Sequence, residues 1–323
     1  MKVLITGGTG FQGSNLTKEL LSEGHEVVIL NTYSKKSEIN VDRFDLKDAQ
    51  IIWGTINDRY TVREAAFGSD LIIHTAAKIH VDDSIQNPTE YFRTNVMGTQ
   101  NVLEAAREFN IPMIHISTCE VYGYQSENLD ENSPLMPRSP YAASKVGADR
   151  MVYSYYTTYD MNVCIIRPFN IYGAGQKDGK AGAVIPIWTT NLMRGEDITI
   201  YGDGCQYREY VYIEDLISAY KIIIDKMLNK NELAGEVINI GSGEDVMIKE
   251  LAQKMVDRFD NESEVVYGKG RPGEVKRFIS NSDKMKSFDW SPKVGLEEGL
   301  GEYIDWRKMI HDVNFYRNIM MVM

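Results

Sequence analysis

The stretch "KVLITGGTGFQGSNLTKELLSEG" (residues 2–24) passes from a short apolar run, through a glycine-rich turn, into a helical pattern. Gly7, Gly10 and Gly13 stand at GxxGxxG spacing. Such spacing lets the chain turn tightly and brings backbone N–H groups and the helix N-terminus against a pyrophosphate. Isolated glycines at this spacing also make plain turns. Placed between a strand and a helix at the start of a chain, they read as a dinucleotide-binding loop.

The same rhythm continues outward from this unit. "HEVVIL" (25–30), "DLIIHTAA" (70–77), "PMIHIST" (112–118) and "NVCIIRP" (162–168) read as strands buried on both faces, with periodic segments between most of them. Repeated strand–helix units predict an α/β fold with a Rossmann-type doubly wound parallel sheet. We expect residues 1–170 to form the dinucleotide-binding domain. After "RPFNIYG" (167–173) the pattern grows irregular and rich in Gly, and residues 171–310 are expected to form mainly a smaller C-terminal substrate-binding lid. Helix candidates lie near 182–194 and 247–259. Residues 208–226 and 236–243 look like returns to the main sheet. The tail, 311–323, ends in the apolar "NFYRNIMMVM" (314–323), which is expected to pack on the lid, with a partner-binding anchor as the alternative.

Composition narrows the function classes. The chain has 323 residues, 43% hydrophobic and 25% charged, which is ordinary for a globular protein. A formal net charge of −11 disfavours nucleic acid and anionic membrane surfaces as partners, while leaving room for a local basic pocket. Cys119, Cys164 and Cys205 have neither metal-ligand nor disulfide-framework spacing, so no metal site is implied and reduced thiols are expected. The N-terminus enters a strand at once and no long apolar segment follows, so a soluble cytoplasmic protein is expected.

Two further features carry chemistry. An acidic side chain normally ends the second strand and receives the adenosine ribose of NAD. Here Asn31 holds that place, followed by Lys35 and Lys36, which leaves NAD or NADP open with NAD favoured. In "YAASK" (141–145), Tyr141 and Lys145 share one helix face. The Lys145 ammonium is expected to lower the Tyr141 pKa from about 10 and make the phenol a usable base. Thr118 ends a strand beside them.

Taken in order, the glycine loop, "HTAA" (74–77), "NVMGTQNVLEAAR" (95–107), "STCEVYG" (117–123), "YAASK" and "RPFNIYG" resemble the extended short-chain dehydrogenase/reductases that act on nucleotide sugars. The resemblance spans residue 1 to about 307. It implies a tightly bound nicotinamide dinucleotide, with Gly7, Gly10, Phe11, Gln12, Gly13 and Asn31 at its pyrophosphate and adenosine end. Thr55, Ile56, Ala76, Ala77, Lys78, Asn95 and Pro168 are further implied cofactor residues, with Tyr141 and Lys145 at the nicotinamide. It also implies that Thr118, Tyr141 and Lys145 oxidise the sugar C4 hydroxyl. A nucleotide-diphosphate sugar is the implied substrate, held by His80, Thr118, Tyr141, Asn170, Val184, Ile185, Tyr201, Arg208 and Arg271. Arg208 and Arg271 suit a diphosphate because the guanidinium fork makes bidentate charged bonds.

"STCEVYG" separates the reactions within that family. A 4-epimerase has no need of a carboxylate beside Thr118. A dehydratase has, because a C4 ketone acidifies the C5 hydrogen and a carboxylate can remove it. Glu120 stands where 4,6-dehydratases carry this glutamate. Cys119 either protonates the departing O6 or fills space behind the cofactor. "HVDDSIQNP" (80–88) resembles dTDP-glucose-type dehydratases, and "STCEVYG" with "SPLMPRSPYAASKVG" (133–147) resembles the UDP-GlcNAc 5,6-dehydratase of tunicamycin biosynthesis. An NDP-hexose dehydratase, 4,6 or 5,6, is therefore expected, with a 4-epimerase as the alternative and an idle NAD(P)-binding protein as a third. Apolar and aromatic residues after Asn95 and Tyr141, such as Met151, Tyr155 and Tyr156, together with the resemblance, predict a homodimer.

Overall fold

The computed structural model describes residues 1–123, 128–177, 182–230, 232–270 and 276–320. Its first half runs β1 (Lys2–Thr6), α1 (Phe11–Ser22), β2 (Glu26–Asn31), α2 (Lys35–Arg43), β3 (Gln50–Trp53), α3 (Arg59–Ala66), β4 (Leu71–His74), α4 (Val81–Gln86) and α5 (Pro88–Phe92). A π-helical turn (Arg93–Met97) leads into α6 (Gly98–Phe109), followed by β5 (Met113–Ile116), a 3-10 turn (Cys119–Tyr122), α7 (Pro140–Tyr159) and β6 (Val163–Pro168). Beyond it come β7 (Ile171–Tyr172), α8 (Val184–Met193), β8 (Ile198–Tyr201), β9 (Tyr207–Glu209), β10 (Val211–Tyr212), α9 (Ile213–Lys230) and β11 (Val237–Ile240). The last elements are β12 (Asp245–Met247), α10 (Ile248–Val256), β13 (Val265–Gly268), β14 (Arg277–Phe278), α11 (Asp283–Lys286) and α12 (Leu296–Met320).

The strands alternate apolar side chains toward two layers, and that alternation explains the sheet. In β1, Val3 and Ile5 pack with Leu16 and Leu20 of α1 and with Leu216, Tyr220 and Ile224 of α9. Leu4, on the opposite face, packs with Val102 and Ala106 of α6 and Val152 of α7. Both faces are apolar, so the sheet is covered on both sides, as parallel sheets require. Its order is β11-β6-β5-β4-β1-β2-β3, and every pairing in it is parallel. The chain order reverses at β1, which has β2 on one side and β4 on the other. A crevice opens there at the carboxyl ends of the strands.

The five segments read as strands all lie in this sheet; four are trimmed at one or both ends, and the second is shifted one residue on, to Glu26–Asn31. Strand β3 falls outside those segments: it is a four-residue edge strand, half-buried to exposed, whose apolar run, Ile51–Trp53, is only three residues long. The segment 236–243 supplies β11, which pairs with β6. The segment 208–226 returns differently. Its strand β10 pairs with β7 outside the main sheet, and its helix α9 packs against the sheet layer that holds α1. The small ladders β8–β13 and β12–β9–β14 lie beyond β6 in the chain. No helix among the described residues is long and apolar enough to cross a membrane, and no group of His, Cys, Asp or Glu among them is arranged to hold a metal ion.

Candidate active site

The glycine loop is built by close approach. Gly7 has a φ of 76°, and a Cβ there would sit 2.8 Å from Thr75 Oγ1 and 2.9 Å from the Ala76 backbone. A Cβ on Gly13 would lie 2.2 Å from the Gly7 carbonyl oxygen. The Gly10 N–H donates to that same carbonyl at 2.8 Å, which closes the turn. Helix α1 begins at Gly10 with no side-chain cap, so its first turn faces the crevice with backbone N–H groups and the positive end of the helix dipole. These features fit the pyrophosphate of a dinucleotide. On the far side, Tyr220 of α9 donates to Gln12 Oε1 at 2.7 Å, and Asn40 of α2 donates to the Thr9 carbonyl at 2.9 Å, fixing the loop.

A cavity of about 660 Å³ runs from this loop to the end of β5. Gly7, Gly10, Phe11, Gln12, Gly13 and Asn31 line one end. Thr55 and Ile56, after β3, line it on the Asn31 side, Ala76, Ala77 and Lys78, after β4, come next, and Thr118, Cys119, Glu120, Tyr141, Lys145, Pro168 and Asn170 line it on the side of β5 and β6. Asn31 turns its amide to the Thr32 carbonyl at 2.8 Å and Ser37 Oγ at 3.2 Å. Lys35 and Lys36 are exposed and stand off the cavity wall.

Thr118, Tyr141 and Lys145 are brought together by two elements. Thr118 follows β5, and its hydroxyl accepts the Glu120 N–H at 3.2 Å, capping the 3-10 turn that carries Cys119 and Glu120. Helix α7 starts with Ser139 as N-cap, its hydroxyl accepting the Ala142 N–H at 3.1 Å, and with Pro140 in the first turn. Tyr141 follows, and Lys145 sits one turn later, donating from Nζ to the Ile116 carbonyl at 2.7 Å. Burial pulls the Lys145 pKa down to about 8, with the Asp149 carboxylate opposing it.

The expected lowering of the Tyr141 pKa by Lys145 is not found. Burial pushes the phenol above its usual 10, a hydrogen bond with Thr118 pulls it back in part, and the neighbouring Glu120 charge adds to the rise. The Lys145 ammonium is committed to the Ile116 carbonyl instead. Glu120 is exposed by its surface area where it lines the cavity. Its carboxyl nonetheless lies among protein atoms that strip away part of its hydration, which raises it above the ordinary range, while Arg208 pulls it down. Cys119 is buried with Val121, Tyr122, Leu129, Phe169 and Phe278, and burial beside Glu120 pushes its thiol far up, so its proton stays on sulfur at neutral pH.

Other predicted residues stand away from the cavity. Asn95 is buried in the π-helical turn, where Oδ1 accepts the Lys78 N–H at 2.8 Å and Nδ2 donates to the Lys78 carbonyl and to Ser144 Oγ, both at 2.9 Å. It therefore holds the wall rather than forming it. His80 Nε2 meets Lys177 Nζ at 2.8 Å. Ile185 is buried in the core with Val184 packed against that core, and Ala183 is the wall residue of this segment. Tyr201 is exposed on β8. Arg208, on β9, donates to the Tyr207 carbonyl at 2.7 Å. Arg271 lies outside the described residues. Thr32, Thr75, Ser117 and Ile171 line the cavity without having been singled out. Thr75 lies inside "HTAA" and Ser117 inside "STCEVYG", so each motif held its own signal.

The NAD dependent epimerase/dehydratase family model matches residues 3–241. The chain belongs to this family. It is 36% identical over 312 residues to the low-salt glycan biosynthesis protein Agl12 of Haloferax volcanii, covering 95% of this chain and 98% of that protein. It is 34% identical over 318 residues to dTDP-glucose 4,6-dehydratase of Streptomyces niveus, covering 95% and 92%. Among solved structures, DesIV (dTDP-glucose 4,6-dehydratase) from Streptomyces venezuelae with NAD and TYD bound superposes with a TM-score of 0.86 at 32% identity, covering 96% of this chain and 97% of that one. The order of motifs in this family member, from glycine loop to "YAASK", thus coincides with a shared fold over nearly its whole length.

Proposed function

We propose that the protein is an NAD(P)-dependent NDP-hexose dehydratase, with NAD the favoured cofactor, that oxidises C4, removes the C5 proton and expels the C6 hydroxyl as water. The observation that carries this reading is Glu120, on the same cavity wall as Thr118, Tyr141 and Lys145 and in surroundings that raise its pKa. The glycine loop, Tyr141 and Lys145 would hold a nicotinamide dinucleotide, which would accept the C4 hydride and give it back to C6 in a 4,6-dehydration or to C4 in a 5,6-dehydration. Tyr141 takes the O4 proton while Thr118 hydrogen-bonds O4; because burial holds the phenol protonated and Lys145 donates to the Ile116 carbonyl, this step requires Lys145 to turn from that carbonyl to the phenol once cofactor and substrate are bound. Glu120 then takes the C5 proton, the C5 electron pair forms the C5–C6 double bond, and the C6–O6 bond breaks as Glu120 passes that same proton to O6, so that water leaves. The raised pKa of Cys119 makes its thiol a weak proton donor, which favours its packing role. Asn170 and Arg208 are assigned to the diphosphate, with Arg271 as their proposed companion.

A 4-epimerase needs only Thr118, Tyr141, Lys145 and the nicotinamide, and the family contains both reactions in its name. Incubating the protein with UDP-, dTDP-, GDP- and CDP-hexoses and weighing the products separates them. Loss of one water supports dehydration, whereas unchanged mass with a changed NMR spectrum replaces it with epimerisation. Mass spectrometry of the denatured protein is expected to show NAD carried through purification.

We also propose a homodimer through the helical face of α5, the π-helical turn and α7. The side chains first expected to form it turn inward: Tyr155 is buried, and Met151 and Tyr156 pack against the core. Phe92, Met97 and Tyr153 are the exposed apolar residues of that face.

A further inference from the structure

Behind the candidate active site lies a chain of buried polar groups that none of the proposed chemistry uses. Asp149, on α7 one turn after Lys145, accepts a fork from Arg167 of β6, with Nε to Oδ2 and Nη2 to Oδ1 both at 2.9 Å. Arg150 shares Oδ1 at 2.6 Å, and Ser117 Oγ donates to Oδ2 at 2.8 Å. Arg167 Nη1 then donates to Tyr122 OH at 2.8 Å, and Tyr122 OH donates to Asn239 Oδ1 of β11 at 2.7 Å. Asn239 is itself held by Glu131 Oε1 on its N–H at 2.8 Å and by the Leu129 carbonyl on its amide at 2.9 Å. Asp149, Tyr122 and Asn239 are 0% exposed and Arg167 is 1% exposed.

Asp149, Arg167 and Tyr122 do not line the cavity. A buried ion pair is a poor source of stability, because desolvation offsets most of the attraction; fixing one geometry is a better-attested use. The geometry fixed here is specific. Tyr122 closes the four-residue 3-10 turn that carries Glu120, and Asp149 stands on the helix that carries Tyr141 and Lys145. Thr118 caps the start of that turn through the Glu120 N–H, but the Tyr122 phenol, stacked on Phe169, ties its end to β6 and β11.

We propose that Tyr122, Arg167 and Asp149 are positioning residues, a buried strut that sets the Glu120 turn at a fixed distance from the helix of Tyr141 and Lys145. The inference rests on the dehydratase reading for its kinetic consequence, though not for its structural one. Tyr122→Phe keeps the ring and removes the oxygen that joins Arg167 to Asn239.

In the full-length protein, hydrogen exchange of amides 119–123 should quicken by about ten-fold in Tyr122→Phe while residues 140–150 stay protected as before. With the sugar nucleotide that the wild type dehydrates, the single-turnover rise of reduced-nicotinamide absorbance should stay within about two-fold, while C5 deuterium exchange and water loss fall about ten- to a hundred-fold at little-changed KM. Arg167→Lys retains the charge opposite Asp149 but shortens the reach to Tyr122; it should show the same split, and it carries the test if Tyr122→Phe does not fold. Unaltered exchange at 119–123 overturns the strut, as does equal slowing of both chemical steps. If the wild type epimerises without losing water, the dehydratase reading falls, and hydrogen exchange alone decides the strut.

Discussion

Glu120 carries most of the functional argument, and its surroundings define what to expect of it. Glu120→Gln should bind cofactor and permit C4 oxidation, yet lose C5 exchange and water loss by about 10²- to 10⁴-fold, read by mass and by deuterium incorporation. Cys119→Ser should change turnover only a few-fold, because a thiol held protonated by burial packs more than it reacts. The pH profile follows from the same groups. Glu120 acts as a base only when ionised, and its pKa is raised, so the acid limb of kcat/KM should lie above the ordinary carboxylate range near 4.3. Lys145 is charged below about 8 and neutral above it, so an alkaline limb should appear near pH 8 and vanish in Lys145→Met. Residue identities and spacing made this cluster legible in the sequence. The direction of the Tyr141 shift was not, because it is set by burial, and burial depends on what α5 and the strand ends place around the phenol. The inward turn of Asn95 was equally hidden, since it depends on a π-helical turn with no spacing signature.

Strands β4 and β5 place two buried imidazoles side by side, His74 and His115, with ring centroids 5.3 Å apart. The tautomer of His74 can be assigned. Thr99 Oγ1 donates to the Asn95 carbonyl at 2.6 Å, so it must accept from His74 Nε2–H at 2.9 Å, and His74 Nδ1 accepts from Thr6 at 2.6 Å. Burial pulls the His74 pKa down to about 3 and that of His115 well below 6.5. Both are therefore neutral in the folded state, whereas the unfolded chain takes up protons below about 6.5. The stability is fully present above that pH and is lost as pH falls toward about 3, at up to about 1.4 kcal/mol per pH unit for each histidine. Neither ring nitrogen of His115 has a hydrogen-bond partner among the described residues. His115→Leu should therefore hold or raise the melting temperature at pH 7 and flatten its decline between pH 6.5 and 5, measured by calorimetry. The strands themselves were readable because apolar residues run through them on both faces. Strand β3 and the two- to four-residue ladders beyond β6 were not, since so few residues carry no period.

At the scale of the whole molecule, the parallel doubly wound sheet followed from chain order alone, while the crevice at β1 needed the strand order and the surface that meets a partner needed the fold. Aromatic residues on α7 were visible in the sequence, but only the fold divides Tyr155, whose hydroxyl donates to Glu104 at 2.5 Å, from the exposed Tyr153. Light scattering at micromolar concentration should give twice the chain mass, and Met97→Glu with Tyr153→Glu should return it to the monomer mass with the circular dichroism unchanged.

The position of β11 sets a timetable for synthesis. Strand β6 is buried throughout and is flanked by β5 on one side and by β11 on the other. When the ribosome has finished β6, its outer row of N–H and C=O groups has no partner until β11 arrives roughly 70 residues later, about 4–14 s at ~5–20 residues per second. For that interval the nascent chain presents an apolar, unpaired strand of the kind that recruits other chains. A protein ending at residue 230 should keep this edge open permanently and collect in the insoluble fraction, whereas adding the missing strand as a separate peptide of residues 232–243 should recover part of it in solution.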